Sequence, residues 1–351
     1  MSVHGEYKVG GGKLVVVDLE VEDGHIVHPR LSGDFFLEPE EALDRINQAL
    51  TGLPVSSQVS EIAAVIARQL EQTDSLIGFT PKDVGFAVHR ALGVSTSWSD
   101  HVFELIEDGP RSPHMQMALD QVYAEALSHN RRGPTLRFWQ WGGPAVVIGS
   151  FQSLSNEVDL QAADRYGLTV VRRISGGGAM FVEPGNTITY SLVIPSSLVD
   201  GMSFEQSYEF LDSWVLTGLK DLGIEARYEP INDITSPAGK IAGAAQKRLS
   251  SNTVLHHVTM AYDIDADKMG KVLRVGREKL SAKGIKSANK RVDPLLSQTA
   301  MSREQIISVL IDTFARQYNL QRSQVTAEEV TRAEELVNTK YATPEWISRV
   351  P

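Results

Sequence analysis

The 351-residue chain contains no cysteine. That absence removes disulfides, thiolate metal sites and a cysteine nucleophile in one step. No apolar run approaches the roughly 20 residues that a membrane-spanning helix needs. The start, Met1 to Glu6, has neither the basic flank nor the apolar stretch of a secretory signal. A cytoplasmic location is therefore expected. The chain also lacks a Walker loop, a G-x-S-x-G elbow and a G-x-G-x-x-G opening a helix, so P-loop, hydrolase and Rossmann readings lack their residues. With 34 basic and 44 acidic residues the net charge is −10, which repels nucleic acid and anionic membrane surfaces. Any anion the protein binds needs a local site.

What is present is an ordinary globular composition, 42% hydrophobic and 22% charged, over a length that suits two domains. From Leu14 to Val21 apolar residues come to alternate with charged ones, the period of a half-buried strand, and Asp23-Gly24 turns it into a hairpin. Helices are predicted over Glu38 to Leu50, through Ile62, Val65, Ile66 and Leu70, and from Thr80-Pro81 to a stop at Gly93. These make a small α+β unit, and the Ser-, Thr-, Gly- and Pro-containing stretch between Gly93 and Pro113 is read as the boundary. Two domains, 1–105 and 106–351, are expected. Beyond it, a helix opening at Ser112-Pro113 is followed by strand-like runs at Ala145–Ile148, Leu168–Val171, Thr187–Ile194 and Val254–Ile264. Capping-box signatures at Ser203/Gln206, Ser302/Gln305 and Thr326/Glu329 announce three further helices.

The strongest chemical signal is Arg172-Arg173-Ile174-Ser175-Gly176-Gly177-Gly178-Ala179, which follows a strand-like run. Three consecutive glycines let backbone amides approach a ligand closely and turn toward an anion or carbonyl, while two arginines supply positive charge. A glycine-rich connector is the plainer reading of a triple glycine alone. Asn232-Asp233 is followed by Gly239-Lys240, a lysine among small residues at the start of a strand-like stretch, able to present an ammonium to a carboxylate or phosphate. Between Lys268 and Arg291 nine cations face the single acid Glu278, a local anion site in an acidic chain, with Lys283-Gly284-Ile285-Lys286 its glycine-containing part. His256-His257 is read as structural, because adjacent strand residues point to opposite faces and no third metal ligand stands at a fitting spacing.

Taken in order, Met117-Ala118-Leu119-Asp120, Leu136-Arg137-Phe138-Trp139, Ile148-Gly149-Ser150-Phe151-Gln152, the Arg-Arg-Ile-Ser-Gly-Gly-Gly block with Gly185-Asn186, Asn232-Asp233, Gly239-Lys240, His256-His257 and Lys283-Gly284-Ile285 resemble the catalytic domain of lipoate-protein ligases. The likeness covers about 112–320. Residues up to Gly93, with Ser32-Gly33-Asp34-Phe35-Phe36, are similar to the small accessory domain of these ligases, here preceding the catalytic domain. The resemblance implies an α+β, biotin/lipoate-ligase fold. It also implies a two-step reaction in which lipoate or octanoate, a small-molecule carboxylate, attacks the α-phosphate of ATP with Mg²⁺ and passes from the acyl-adenylate to a lysine. The implied acceptors are lipoyl domains of 2-oxoacid dehydrogenase complexes or the glycine cleavage H protein.

On that likeness Lys240 carries the catalytic charge. Gln152, Arg172, Arg173, Ser175, Gly176, Gly177, Gly178 and Ala179 line the acyl and adenylate region, with either arginine facing inward. Asn232, Asp233, Lys283, Gly284 and Lys286 contact the nucleotide, and Asp233 is a candidate Mg²⁺ ligand. The chain departs from the family pattern at Val258-Thr259, where a Gly-Thr pair is usual, and at Asn289-Lys290-Arg291. Competing readings are a biotin-protein ligase-like enzyme, a non-catalytic protein that binds the acyl-adenylate or a lipoyl domain, and an acyl transferase working through a cysteine thioester, for which the nucleophile is missing.

Overall fold

The computed structural model describes residues 2–9, 13–274 and 292–351. The basic run's Lys283, Gly284 and Lys286 lie outside the described residues. Two compact units emerge, one of residues Met1–Ser97 with Ser197–Ser203, the other of Trp98–Ser196 with Phe204–Pro351.

In the first unit β1 (Ser2–Lys8), β2 (Leu14–Glu22) and β3 (His25–Gly33) form an antiparallel sheet in chain order. The β2–β3 turn is made by Asp23 and Gly24, both at positive φ, as the Asp-Gly pair predicts. Val15, Val17 and Leu19 of β2 point inward with Ile26 and Leu31. They pack against α1 (Glu41–Leu50), α2 (Val59–Gln69) and α3 (Pro81–Ala91), whose inward residues include Ile46, Ile62, Ile66, Val84 and Val88. Thr80 and Asp83 cap α3 reciprocally around Pro81. A Cβ on Gly5 would lie 2.2 Å from the Ala87 carbonyl oxygen, so only glycine lets β1 run this close to α3. A short ribbon, β4 (Phe36–Glu38) with β5 (Ser75–Ile77), completes the unit.

Segment Ser197–Ser203 belongs to this unit although it lies far along the chain. Its Asp200 carboxylate bonds Nδ1 of His89, whose Nε2 lies 2.8 Å from the Ser57 carbonyl oxygen. Burial works against charging His89, but the bonds to Asp200 and Ser57 outweigh it and raise its pKa. A raised histidine contributes stability that is complete below its unfolded pKa of about 6.5 and is lost as pH rises through the folded value. The melting-temperature gap between wild type and Asp200→Asn should thus be widest near about pH 5.5, corresponding to about 1.5–3 kcal/mol for a charged hydrogen bond, and should narrow by about pH 8.5. A gap independent of pH would mean the pair is not ionic.

The second unit is built on an eight-stranded sheet. Its strands are β6 (Phe103–Glu107), β7 (Thr135–Trp139), β11 (Thr187–Pro195), β12 (Arg227–Glu229), β13 (Asp233–Thr235), β14 (Lys240–Leu249), β15 (Thr253–Ala261) and β16 (Leu320–Ser323), in the order β12-β13-β14-β15-β11-β7-β6-β16. The sheet is antiparallel except where β6 joins β7 and β16. A smaller sheet of β8 (Ala145–Ile148), β9 (Thr169–Arg172) and β10 (Met180–Val182) stands apart. The helix α4 (Pro113–Ser128), capped by Ser112, packs on β11, β15 and β9, filling the space between the sheets with Met117, Leu119, Val122 and Tyr123. On the other face, Trp214 of α5 (Phe204–Asp221) meets Phe314 of α6 (Arg303–Gln317) edge to face at 5.1 Å. The capping boxes at Ser302/Gln305 and Thr326/Glu329 both form, the second opening α7 (Ala327–Leu336). No helix among the described residues is long and apolar enough to cross a membrane.

Candidate functional site

The glycine block leaves β9 and folds back under the end of β8, where Ser150 N–H donates to the Ser175 carbonyl oxygen (2.8 Å) and Arg173 N–H to that of Ile148 (3.0 Å). This approach requires Gly149: a Cβ there would sit 2.3 Å from the Gly177 carbonyl oxygen. Gly177 itself has φ +90°, and a Cβ on it would lie 2.9 Å from the Arg173 guanidinium. Gly149→Ala should displace the loop, and at an overpacking cost of about 1–3 kcal/mol it should lower the melting temperature and weaken ligand binding together. Titration with lipoate, the ligand that the resemblance implies, checks this, and unchanged affinity would separate the loop from the ligand.

The two arginines part company. Arg172 is fully buried and away from the cavity, its guanidinium donating to the carbonyls of Gly149, Gln152, Trp346 and Ile347, so it ties the β8 turn to the C-terminal segment. Arg173 lines a cavity of about 450 Å³. Its guanidinium donates to the carbonyls of Gly176 (2.6 Å) and Gly178 (2.8 Å). Burial pushes Arg173 down to about 10, which leaves it a cation at neutral pH.

Facing the loop, Lys240 at the start of β14 presents Nζ to the cavity and pairs with Asp233 Oδ1 at 2.7 Å. Gly243 makes room for that ammonium, since a Cβ there would be 3.0 Å from Nζ. Asn232 lines the same cavity and braces β14 by donating from Nδ2 to the Ala244 carbonyl oxygen (2.6 Å). Gln152 lines it too and closes its own turn, Oε1 accepting from Gly149 N–H at 2.7 Å. Gly178 and Ala179 lie on the wall, whereas Ser175, 1% exposed, sits behind it. The apolar part of the wall comes from Met117, Trp139, Val147, Met180 and Phe181. Lys240, Arg173 and Arg274 give the cavity its positive charge, with Glu157 the acid on its wall. The result is a cleft that can seat a slender apolar chain with an anionic head.

Asp233, the candidate Mg²⁺ ligand, is instead held by the ammonium of Lys240. Among the described residues no group of three His, Asp or Glu could hold a metal ion.

The tandem histidines point to opposite faces, as alternation requires. His256 Nε2 lies 2.6 Å from Asp212 Oδ1 on α5, and His257 Nδ1 lies 2.9 Å from Asp120 Oδ2 on α4. His257 also lines the cavity, a contact not foreseen from the sequence. Its signal was Asp120, a carboxylate among the apolar residues of α4 that demands buried partners.

The family model for the lipoyl protein ligase A/B catalytic domain matches residues 112–315. An octanoyltransferase LipM of Halalkalibacterium halodurans is 25% identical over 70% of this chain and 98% of its own length. A solved chain of a bi-partite lipoate protein ligase from Thermoplasma acidophilum, studied with its E2 lipoyl domain, superposes with a TM-score of 0.62 at 28% identity, covering 72% of this chain and 98% of that one. A lipoate-protein ligase A bound with ATP gives a TM-score of 0.62 at 25% identity, over 71% of this chain and 100% of that one.

Proposed function

This chain belongs to the family of lipoyl protein ligase A/B catalytic domains, and from that premise we propose that it is an ATP-dependent, AMP-forming lipoate-protein ligase. Lipoate or octanoate is activated as its adenylate and passed to a lysine of a lipoyl domain or of the glycine cleavage H protein. The observation that carries the reading over acyl transfer is Lys240 in the cavity of a chain with no cysteine to form a thioester.

In this reading the acyl chain lies along Trp139, Val147 and Met180, and the head group meets Lys240 and the loop held by Arg173. Lys240 holds the attacking carboxylate beside the α-phosphate and places positive charge on the α-phosphate oxygens as the new P–O bond forms and pyrophosphate departs. When the acceptor amine attacks, the same ammonium and the loop's amides stabilise the tetrahedral oxygen until AMP leaves. Mg²⁺ arrives with the nucleotide as MgATP, consistent with its preference for phosphates and water over all-protein cages. Residues 1–97 act as the accessory domain.

Incubation with ATP, lipoate and an apo lipoyl domain, followed by intact-mass measurement of the acceptor, tests the proposal. Lipoylation that requires ATP is expected. Labelling that proceeds without ATP, from an octanoyl thioester donor, would overturn it in favour of a transferase.

A further inference from the structure

Beneath the glycine loop three side chains from distant elements form a continuous run: Asp120 on α4, His257 on β15, which also lines the cavity, and Ser175 at the head of the loop. Ser175 Oγ is 2.6 Å from His257 Nε2, and His257 Nδ1 is 2.9 Å from Asp120 Oδ2. Asp120, His257 and Ser175 are all buried, at 2%, 8% and 1% exposure. The residue types are those of a serine nucleophile with its base, but Ser175 is closed off from the cavity. Its oxygen also accepts from Arg173 Nε at 3.1 Å. It has no access to an acyl group.

The protons in this run can be placed by elimination. An ionised Asp120 only accepts, so His257 Nδ1 carries the hydrogen. Burial, opposed by the Asp120 bond, lowers the pKa of His257, so the ring is neutral and Nε2 holds a lone pair. Ser175 must then donate to Nε2, and its oxygen is left to accept Arg173 Nε–H. Arg173 Nε–H is shared between Ser175 Oγ and the Gly176 carbonyl, each at 3.1 Å, while its terminal nitrogens reach the carbonyls of Val147, Gly176 and Gly178. Because a trans peptide sets C=O and N–H antiparallel, these bonds fix the amides of Gly177 and Ala179 pointing away from Arg173. Neither amide has an acceptor among the described residues.

We propose that His257 is a positioning residue: as the Nδ1–H tautomer it orients Ser175, and through it Arg173, so that the glycine loop presents the Gly177 and Ala179 amides to the oxygens of the activated acyl group. This extends the function proposed above and rests on it. Both of its ring nitrogens are engaged, by Asp120 and by Ser175, and its part is to set which way the loop's dipoles face before substrate arrives.

Nitrogen NMR of the imidazoles in the full-length protein reads the tautomer without any substrate, and hydrogen exchange of Arg173 Nε–H reads the next link. Wild type should show Nδ1 protonated and Nε2 bare. Ser175→Ala, which removes one oxygen, should speed Arg173 Nε–H exchange. It should lower kcat for adenylate formation by about ten- to hundredfold while KM for ATP changes less than about threefold. A purely structural role would lower the melting temperature without this split. An Nε2–H tautomer in wild type, unchanged Arg173 exchange in Ser175→Ala, or a kcat within about twofold of wild type would overturn the proposal. Should the wild type form no adenylate at all, the proposed function falls, and the tautomer and exchange measurements still decide the relay.

Discussion

Lys240→Ala should cut adenylate formation and acyl transfer by about 10²–10³-fold, the scale of losing one preorganised charge or donor from a transition state, about 3–4 kcal/mol. The structure adds a second consequence. Asp233 is 3% exposed and its carboxylate lies 2.7 Å from the Lys240 ammonium. Truncating the lysine takes the ammonium away from this buried carboxylate, and breaking a buried pair from one side costs up to about 3–5 kcal/mol. The partial exposure of Lys240, 29%, puts the expected cost at the low end, because water reaches the ammonium end. Lys240→Ala should therefore lower the melting temperature as well as the rate, and the two effects can be separated. Adding Asp233→Asn removes the carboxylate's charge. The double variant should regain most of the lost melting temperature and none of the lost activity. Activity above about a tenth of wild type in Lys240→Ala would take this lysine out of the transition state.

What could be seen in advance follows the range of the interaction. The helix starts at Ser112, Thr80, Ser302 and Thr326 were legible because a cap bonds an amide two or three residues away, so cause and signature share one short stretch. The opposite facing of His256 and His257 was legible for the same reason, since strand alternation is local. The glycine loop could be recognised as a place of close approach, but not what approaches it; the partner is Gly149, brought in by the pairing of β8 with β9.

Arg172 and Arg173 show the limit most clearly. They are chemically identical neighbours, and their roles differ because β9 ends between them. One side chain turns toward the carbonyls of Trp346 and Ile347, from a segment near the far end of the chain, and the other toward the cavity. Nothing within ten residues of them distinguishes the two. Strand β1 also escaped notice: Ser2 to Lys8 shows little hydrophobicity, and its Gly5 is a poor strand former chosen for the closeness of α3. Likewise the attachment of Ser197–Ser203 to the first unit depends on Gly201, whose Cβ would meet Phe86 at 2.8 Å and Val59 at 3.0 Å. Those partners are more than a hundred residues away, beyond any periodicity.

A chain lacking residues 1–97 should stay folded and transfer the acyl group from supplied lipoyl-adenylate, yet make adenylate from ATP at least about a hundredfold more slowly. The cut respects the sheet. It falls before Trp98, which stacks on Tyr318 at 4.2 Å, and before β6, the strand that joins β7 to β16. A cut at 105 would instead remove Phe103 and Glu104 from a central strand. What remains has its own core around α4, with Leu119, Tyr123, Val147 and Leu255 buried. It also keeps Arg173, Lys240 and the cavity wall, the groups to which the proposed transfer step is assigned. The deleted part has a separate core of Val15, Val17, Ile46, Ile62 and Val84, so its removal takes away a folded body and not a piece of one. Its loss strands Ser197–Ser203, whose Leu198 and Val199 are buried in the whole chain, and a modest fall in melting temperature is expected from that exposure. Burst measurements of AMP-ester formation from ATP and lipoate, set beside transfer from synthetic lipoyl-adenylate, distinguish the two steps. Adenylate formation at the wild-type rate by residues 98–351 would show that the first unit has a different task. Loss of both steps, with the fold intact by circular dichroism, would place it in the chemistry itself.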